Sequence, residues 1–130
     1  MKKFGKLNPV QRDRMPLAYE KETRTVNFGF EQVQVMNAEA DTEMTVYEGY
    51  AVQIDGILDY GHIKSQLVEA ACAQKDEFGY LNNAVSALIK ERGGEPLTED
   101  EEADISEFLA FTEYRNLCAQ AAKAVLAVYQ

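Results

Sequence analysis

Two periods divide the chain. Between Arg24 and Met36, Val26, Phe28 and Phe30 alternate with polar residues, and Val33 and Val35 then continue on the other parity. Alternation marks a strand with one buried face, and the phase change after Gly29-Phe30-Glu31 predicts a bulge or a bend. Asn37-Ala38-Glu39-Ala40-Asp41 reads as a turn. From Glu43 to Ile54, Met44, Val46, Tyr50, Val52 and Ile54 share a parity that only Glu48 breaks. The two stretches predict a β-hairpin over residues 24–54. Two strands are marginal by themselves in water, so the hairpin is expected to pack on helices or to join another chain's sheet.

After Asp55-Gly56 the period changes to that of a helix. Asp59 is placed to cap a first helix, about residues 59–72, with Ile63, Leu67, Ala70 and Ala71 on its apolar face. Asp76 is placed to cap a second, 76–92, which carries Phe78, Leu81, Val85, Leu88 and Ile89 on one side and stops at Gly93-Gly94. Thr98-Glu99-Asp100-Glu101 then forms a capping box for a third helix, 98–129. Carboxylates at Glu99, Asp100, Glu101, Glu102 and Asp104 oppose the positive end of its dipole. Phe108, Phe111, Cys118, Ala122, Val125 and Tyr129 share a face of that helix. Arg115 falls on the same face, and its stem is expected to lie along the aromatics with the guanidinium at the core edge.

Residues 1–23 contain Gly5, Pro9 and Pro16 and hold no period, which predicts an extended arm. Phe4, Leu7, Val10, Met15, Leu17 and Tyr19 are many apolar side chains for a free tail, so the arm is expected to lie against its own body or a partner. The predicted architecture is α+β: an N-terminal extended arm over 1–23, then one domain over 24–130 made of the hairpin and a three-helix C-terminal bundle.

Composition refines this picture in two places. At 130 residues the chain is the size of one domain, and no apolar run approaches the ~20 residues of a membrane span. Pro9, Gln11, Arg12, Asp13 and Arg14 interrupt any signal-peptide core, so a cytoplasmic chain is expected, without membrane partners. The net charge of −9 is unevenly distributed. Residues 1–24 carry seven basic and three acidic side chains, +4, and the remainder carries six and nineteen, −13. By composition alone such a basic arm reads first as a solvated tail; on an acidic body it can also bind a neighbouring copy or, as the lesser expectation, nucleic acid through residues 1–24. Lys2, Lys3, Phe4, Lys6, Arg12 and Arg14 are the arm's candidate contact residues.

No constellation of residues specifies a reaction. His62 has Asp59 and Asp55 near it in sequence, but no Ser or Cys is placed to complete a triad. Cys72 and Cys118 lie in Ala-rich helical company and read as two buried free thiols rather than metal ligands. The glycines form neither GxGxxG nor GxxxxGK[ST], and the carboxylates at 99–102 point around a helix instead of converging. No catalytic, cofactor or metal site is therefore expected. Asn82-Asn83 sits within an apolar helical stretch and can hydrogen-bond across a helix or subunit interface, or simply face solvent. Tyrosines suit protein interfaces, which adds Tyr47, Tyr50 and Tyr60, with Arg115, to the candidate contact residues.

Three elements carry a resemblance. They are Tyr47-Glu48-Gly49-Tyr50-Ala51-Val52 leading to Leu58-Asp59-Tyr60-Gly61-His62-Ile63, then Gln74-Lys75-Asp76-Glu77-Phe78, then Glu107, Phe111, Arg115, Cys118, Ala122 and Lys123. In these, residues 47–127 resemble small structural and accessory proteins of tailed bacteriophages and prophages of gut bacteria. The resemblance implies a non-enzymatic virion protein, assembled in the bacterial cytoplasm and acting through contacts with other phage structural proteins and with copies of itself. The alternative is a phage-encoded assembly factor, or a nucleic-acid-associated regulator that uses the basic arm. The shared motifs are packing motifs, so the resemblance implies a setting and assigns no functional residue.

Overall fold

The computed structural model describes residues 4–128, and of residues 74 and 75 the backbone alone. Lys2, Lys3 and Tyr129 lie outside the described residues. Seven elements follow in order: β1 Val10–Arg12, β2 Tyr19–Glu20, β3 Thr25–Asn37, β4 Thr42–Gln53, α1 Tyr60–Ala71, α2 Gln74–Arg92 and α3 Glu99–Val128. The class is α+β, with all strands preceding the helices.

The hairpin of β3 and β4 is the centre of a four-stranded antiparallel sheet ordered β1-β4-β3-β2. Its two edges come from the segment expected to be an extended arm. Val10 pairs with Gly49 and Arg12 with Tyr47 on one side, and Tyr19 pairs with Val26 on the other. The need of a two-stranded hairpin for further cover is thus met partly within the chain. Asn27 secures the second edge: its side-chain amide donates to the Leu17 carbonyl at 2.8 Å and its backbone N–H to that of Ala18 at 3.0 Å.

The phase change in β3 is a bulge. Register runs from Phe28 opposite Tyr50 directly to Glu31 opposite Glu48, so Gly29 and Phe30 face one residue, Gly49. Gly29 has φ +67°, the left-handed region that glycine enters without strain. The Phe30 ring lies so close over Gly49 that a side chain there would collide with it. The extra residue returns Val33 and Val35 to the face that carries Val26 and Phe28.

α3 is the axis of the helical layer. It packs on β3 and β2 and is flanked by α1 and α2, which succeed each other along it after a two-residue break at Cys72-Ala73. This corrects the expected three-helix bundle, because α1 and α2 each pack on α3 and hardly touch each other. Both polar caps form locally. The Asp59 carboxylate accepts from the His62 N–H at 2.7 Å, and Thr98 and Glu101 exchange bonds of 3.0 and 3.2 Å. The cap expected at Asp76 does not form, since α2 begins two residues earlier and Ala73 occupies its N-cap without a side-chain bond. Asp76 and Glu77 instead sit in the first turn, where they favour the dipole.

The core joins Val26, Phe28, Tyr50 and Val52 of the sheet to Ile63, Leu67 and Ala71 of α1 and to Phe111, Tyr114, Cys118, Ala122 and Val125 of α3. Tyr114 lies at its centre. Its ring meets Tyr50 edge-on at 5.7 Å, and its hydroxyl donates to the Leu67 carbonyl at 2.6 Å. The expected face of α3 included Arg115 and omitted Tyr114. The buried stripe runs from Phe111 to Cys118 through Tyr114, three residues after the one and four before the other, continues through Ala121, Ala122 and Val125, and leaves Arg115 exposed beside it.

Candidate functional site

A helix has several faces, and α2 spends its small and large apolar side chains on different ones. Ala84 and Ala87 are each 1% exposed and lie outside the main core. Together with Tyr80, whose ring is 5.8 Å from that of Phe111, they form the inner face against α3. Small side chains there let the two helices approach closely. Roughly a third of a turn around the helix, at about 100° per residue, stand Phe78, Leu81, Val85, Leu88 and Ile89. These five are between 44% and 68% exposed. The expectation that they share one side holds, and that side is open.

The stripe is bordered by a groove between α2 and α3 of about 420 Å³, whose apolar walls are Phe78, Leu81, Phe108 and Phe111. Its polar end is made by Lys64, Glu77, Arg115 and Asn116. Lys64, Glu77 and Arg115 also line a second hollow of about 350 Å³, with Tyr60, Ser65 and Glu69. Arg115 therefore stands between two concavities with its charge in solvent, where it can meet a carboxylate on a partner. At the far end of the pair, Lys90 Nζ donates to Glu101 Oε1 at 2.7 Å and ties the last turn of α2 to the first of α3. That contact lowers the Glu101 carboxyl below its usual value, with the Thr98 backbone N–H adding to the shift.

The candidate contact residues do not converge on one surface. Phe4 is occupied within the chain, stacked on Tyr114 at 4.7 Å and on Phe111 at 6.2 Å. Lys6, Arg12 and Arg14 are exposed, while the backbone N–H of Lys6 donates to the Ala71 carbonyl and Arg12 lies in an edge strand. Tyr50 is in the core. Tyr47 is half-buried and its hydroxyl accepts from the Gln32 amide at 3.2 Å. Tyr60 is exposed, with Lys64 Nζ 5.7 Å from its ring centre. Residues 4–23 thus lie against their own body, one of the two outcomes expected for them.

No family model, curated protein or solved structure matches the chain.

His62 is exposed and its backbone belongs to the α1 cap. Burial pushes the Cys118 thiol up to about 12 and raises that of Cys72, so both stay protonated at neutral pH and serve packing. Among the described residues no group of three His, Cys, Asp or Glu side chains is placed to hold a metal, and no helix is long and apolar enough to cross a membrane. Sequence reasoning missed the openness of α2 and the roles of Lys64 and Glu77 at the groove. The available signal was the coexistence of Ala84 and Ala87 on one face with large apolar residues on another, which shows a helix with two apolar faces.

Proposed function

We propose that the chain is a small phage-derived structural or accessory protein that acts without catalysis, by binding other protein subunits. The observation that carries this reading is the open apolar stripe of α2 beside the α2–α3 groove. Contiguous apolar surface of more than a few hundred Å² marks contact sites on soluble proteins. The resemblance of residues 47–127 supplies the setting: a virion assembled in the bacterial cytoplasm, with other phage structural proteins and further copies of this chain as partners. Peptide mass spectrometry of purified particles, with copy number measured against the major capsid protein, tests it. A fixed stoichiometry is the expected result. Absence from particles that contain every other structural protein, while the chain is expressed in the cell, would move it to assembly factor or regulator.

The exposed side chains of Lys6, Arg12 and Arg14 favour a second reading, a nucleic-acid-associated regulator. Its mark would be affinity falling steeply with salt, as phosphate contacts release counterions. The −13 charge of residues 25–130 opposes a broad footprint.

A further inference from the structure

We propose that the stripe of α2 is the seam of a homodimer in which a second copy of this chain lies antiparallel upon it. The inference rests on the reading of the chain as an interaction protein and names one partner. Phe78, Leu81, Val85 and Leu88 step by three, four and three, the spacing of a supercoiled helical seam. All four are open in the single chain, with Ile89 on their flank.

The charges choose the occupant and its direction. The first turn of α2 holds Asp76 and Glu77, and its last turn Lys90, Glu91 and Arg92. At about 100° per residue, Glu77 and Arg92 border the stripe, whereas Asp76, Lys90 and Glu91 turn away from it. Lys90 is in addition engaged by Glu101. A twofold axis level with Asn83 sets Phe78 against Leu88 of the second copy and Leu81 against its Val85. The same axis brings Arg92 of each copy to the first turn of the other, where Glu77 stands, and opposes the two helix dipoles. Parallel copies would place Glu77 on Glu77 and Arg92 on Arg92. The patch is complementary to itself in the antiparallel direction, and self-complementarity is what an isologous contact requires. Asn82, at the margin of the stripe beside the axis, meets its counterpart there, and such a polar pair holds register. With α3 behind each α2, the product is a four-helix arrangement.

Sedimentation equilibrium across a dilution series tests this on the full chain. The wild-type chain is expected to form a dimer, and Leu81→Glu with Val85→Glu to raise its dissociation constant by on the order of 100-fold by burying charge. Both positions are half open in the monomer, so the helical signal by circular dichroism should be unchanged. Glu77→Arg alone should weaken the dimer, and adding Arg92→Glu should restore it. A wild-type monomer throughout, or a dimer indifferent to the stripe variant, overturns the seam; failure of the double reversal to rescue overturns the antiparallel direction. A monomeric chain present in particles at fixed copy number would refute the seam and leave the virion role standing. A dimer absent from particles would do the reverse.

Discussion

The two halves of the helical layer use the same kind of residue pattern with opposite results. In α1, Ile63 and Leu67 recur at helical spacing and are fully buried in the core that α1 shares with α3 and the sheet. In α2, Leu81, Val85 and Leu88 recur just as regularly and stand open, while alanines take the contact with α3. Periodicity reports which side chains share a face; what covers the face depends on elements elsewhere in the chain or on another chain. The sheet reaches the α1 half of α3 and does not extend to α2.

The strongest way to break this comparison is a pair of truncations. Leu67→Ala should cost about 2–5 kcal/mol, because it removes buried methyl groups and leaves a cavity. Leu81→Ala should change the stability of the dilute, monomeric chain by no more than about 0.5 kcal/mol. Urea unfolding monitored by circular dichroism measures both. Equal losses would mean that α2 is covered within one chain.

Enlarging a side chain reverses the roles of the faces of α2. Ala87→Leu pushes a larger group into the α2–α3 contact and should destabilise by about 1–3 kcal/mol. The same measurement reads it. A neutral result would show that the alanine face is loosely packed and that the two faces differ less than their exposure suggests.

Much of this arrangement was legible where the cause is local. The Thr98–Glu101 box and the Asp59 cap were identified because each needs only residues three apart. The bulge at Gly29-Phe30 was legible as a break in alternation. β1 and β2 were not, since strands of three and two residues have no period of their own and exist through pairing to β4 and β3. Tyr114 stands three residues after Phe111 and four before Cys118, so helical spacing alone places it on the buried face; what the spacing does not tell is that α1 and the sheet meet around its ring. For the candidate site, Phe78, Leu81, Val85, Leu88 and Ile89 were recognised as one face, but its exposure is a property of where the sheet ends.

Tyr114 provides a finer test on the sheet side. Tyr114→Phe removes the bond to the Leu67 carbonyl and should cost about 1 kcal/mol. Burial raises the pKa of both Tyr114 and Cys118, the latter from 9.0 to about 12. A folded value above the unfolded one means stability that is complete below the unfolded pKa and lost as pH rises toward the folded one. The melting temperature should therefore fall above about pH 9, and Tyr114→Phe should remove part of that slope. A slope unchanged by the substitution would place its origin elsewhere than at Tyr114.

The smallest effect belongs to the distal pair, where one ion pair joins the helix ends. Glu101 is lowered by the Lys90 ammonium first and by the Thr98 N–H second. A depressed carboxyl contributes stability that is present above its unfolded pKa and lost as pH falls through the folded one. The pair is partly exposed, so salt screening keeps the contribution small. Glu101→Gln retains an acceptor for the Thr98 N–H and removes the charge, which separates the capping bond from the ion pair. Its melting temperature should lie slightly below wild type near neutrality and converge with it in acid, and added salt should narrow the gap. A gap that persists in acid, where the wild-type carboxyl is neutral as well, would show that it does not arise from the Glu101 charge. The α2–α3 contact would then rest on its alanines and cap, without help from the Lys90–Glu101 charges.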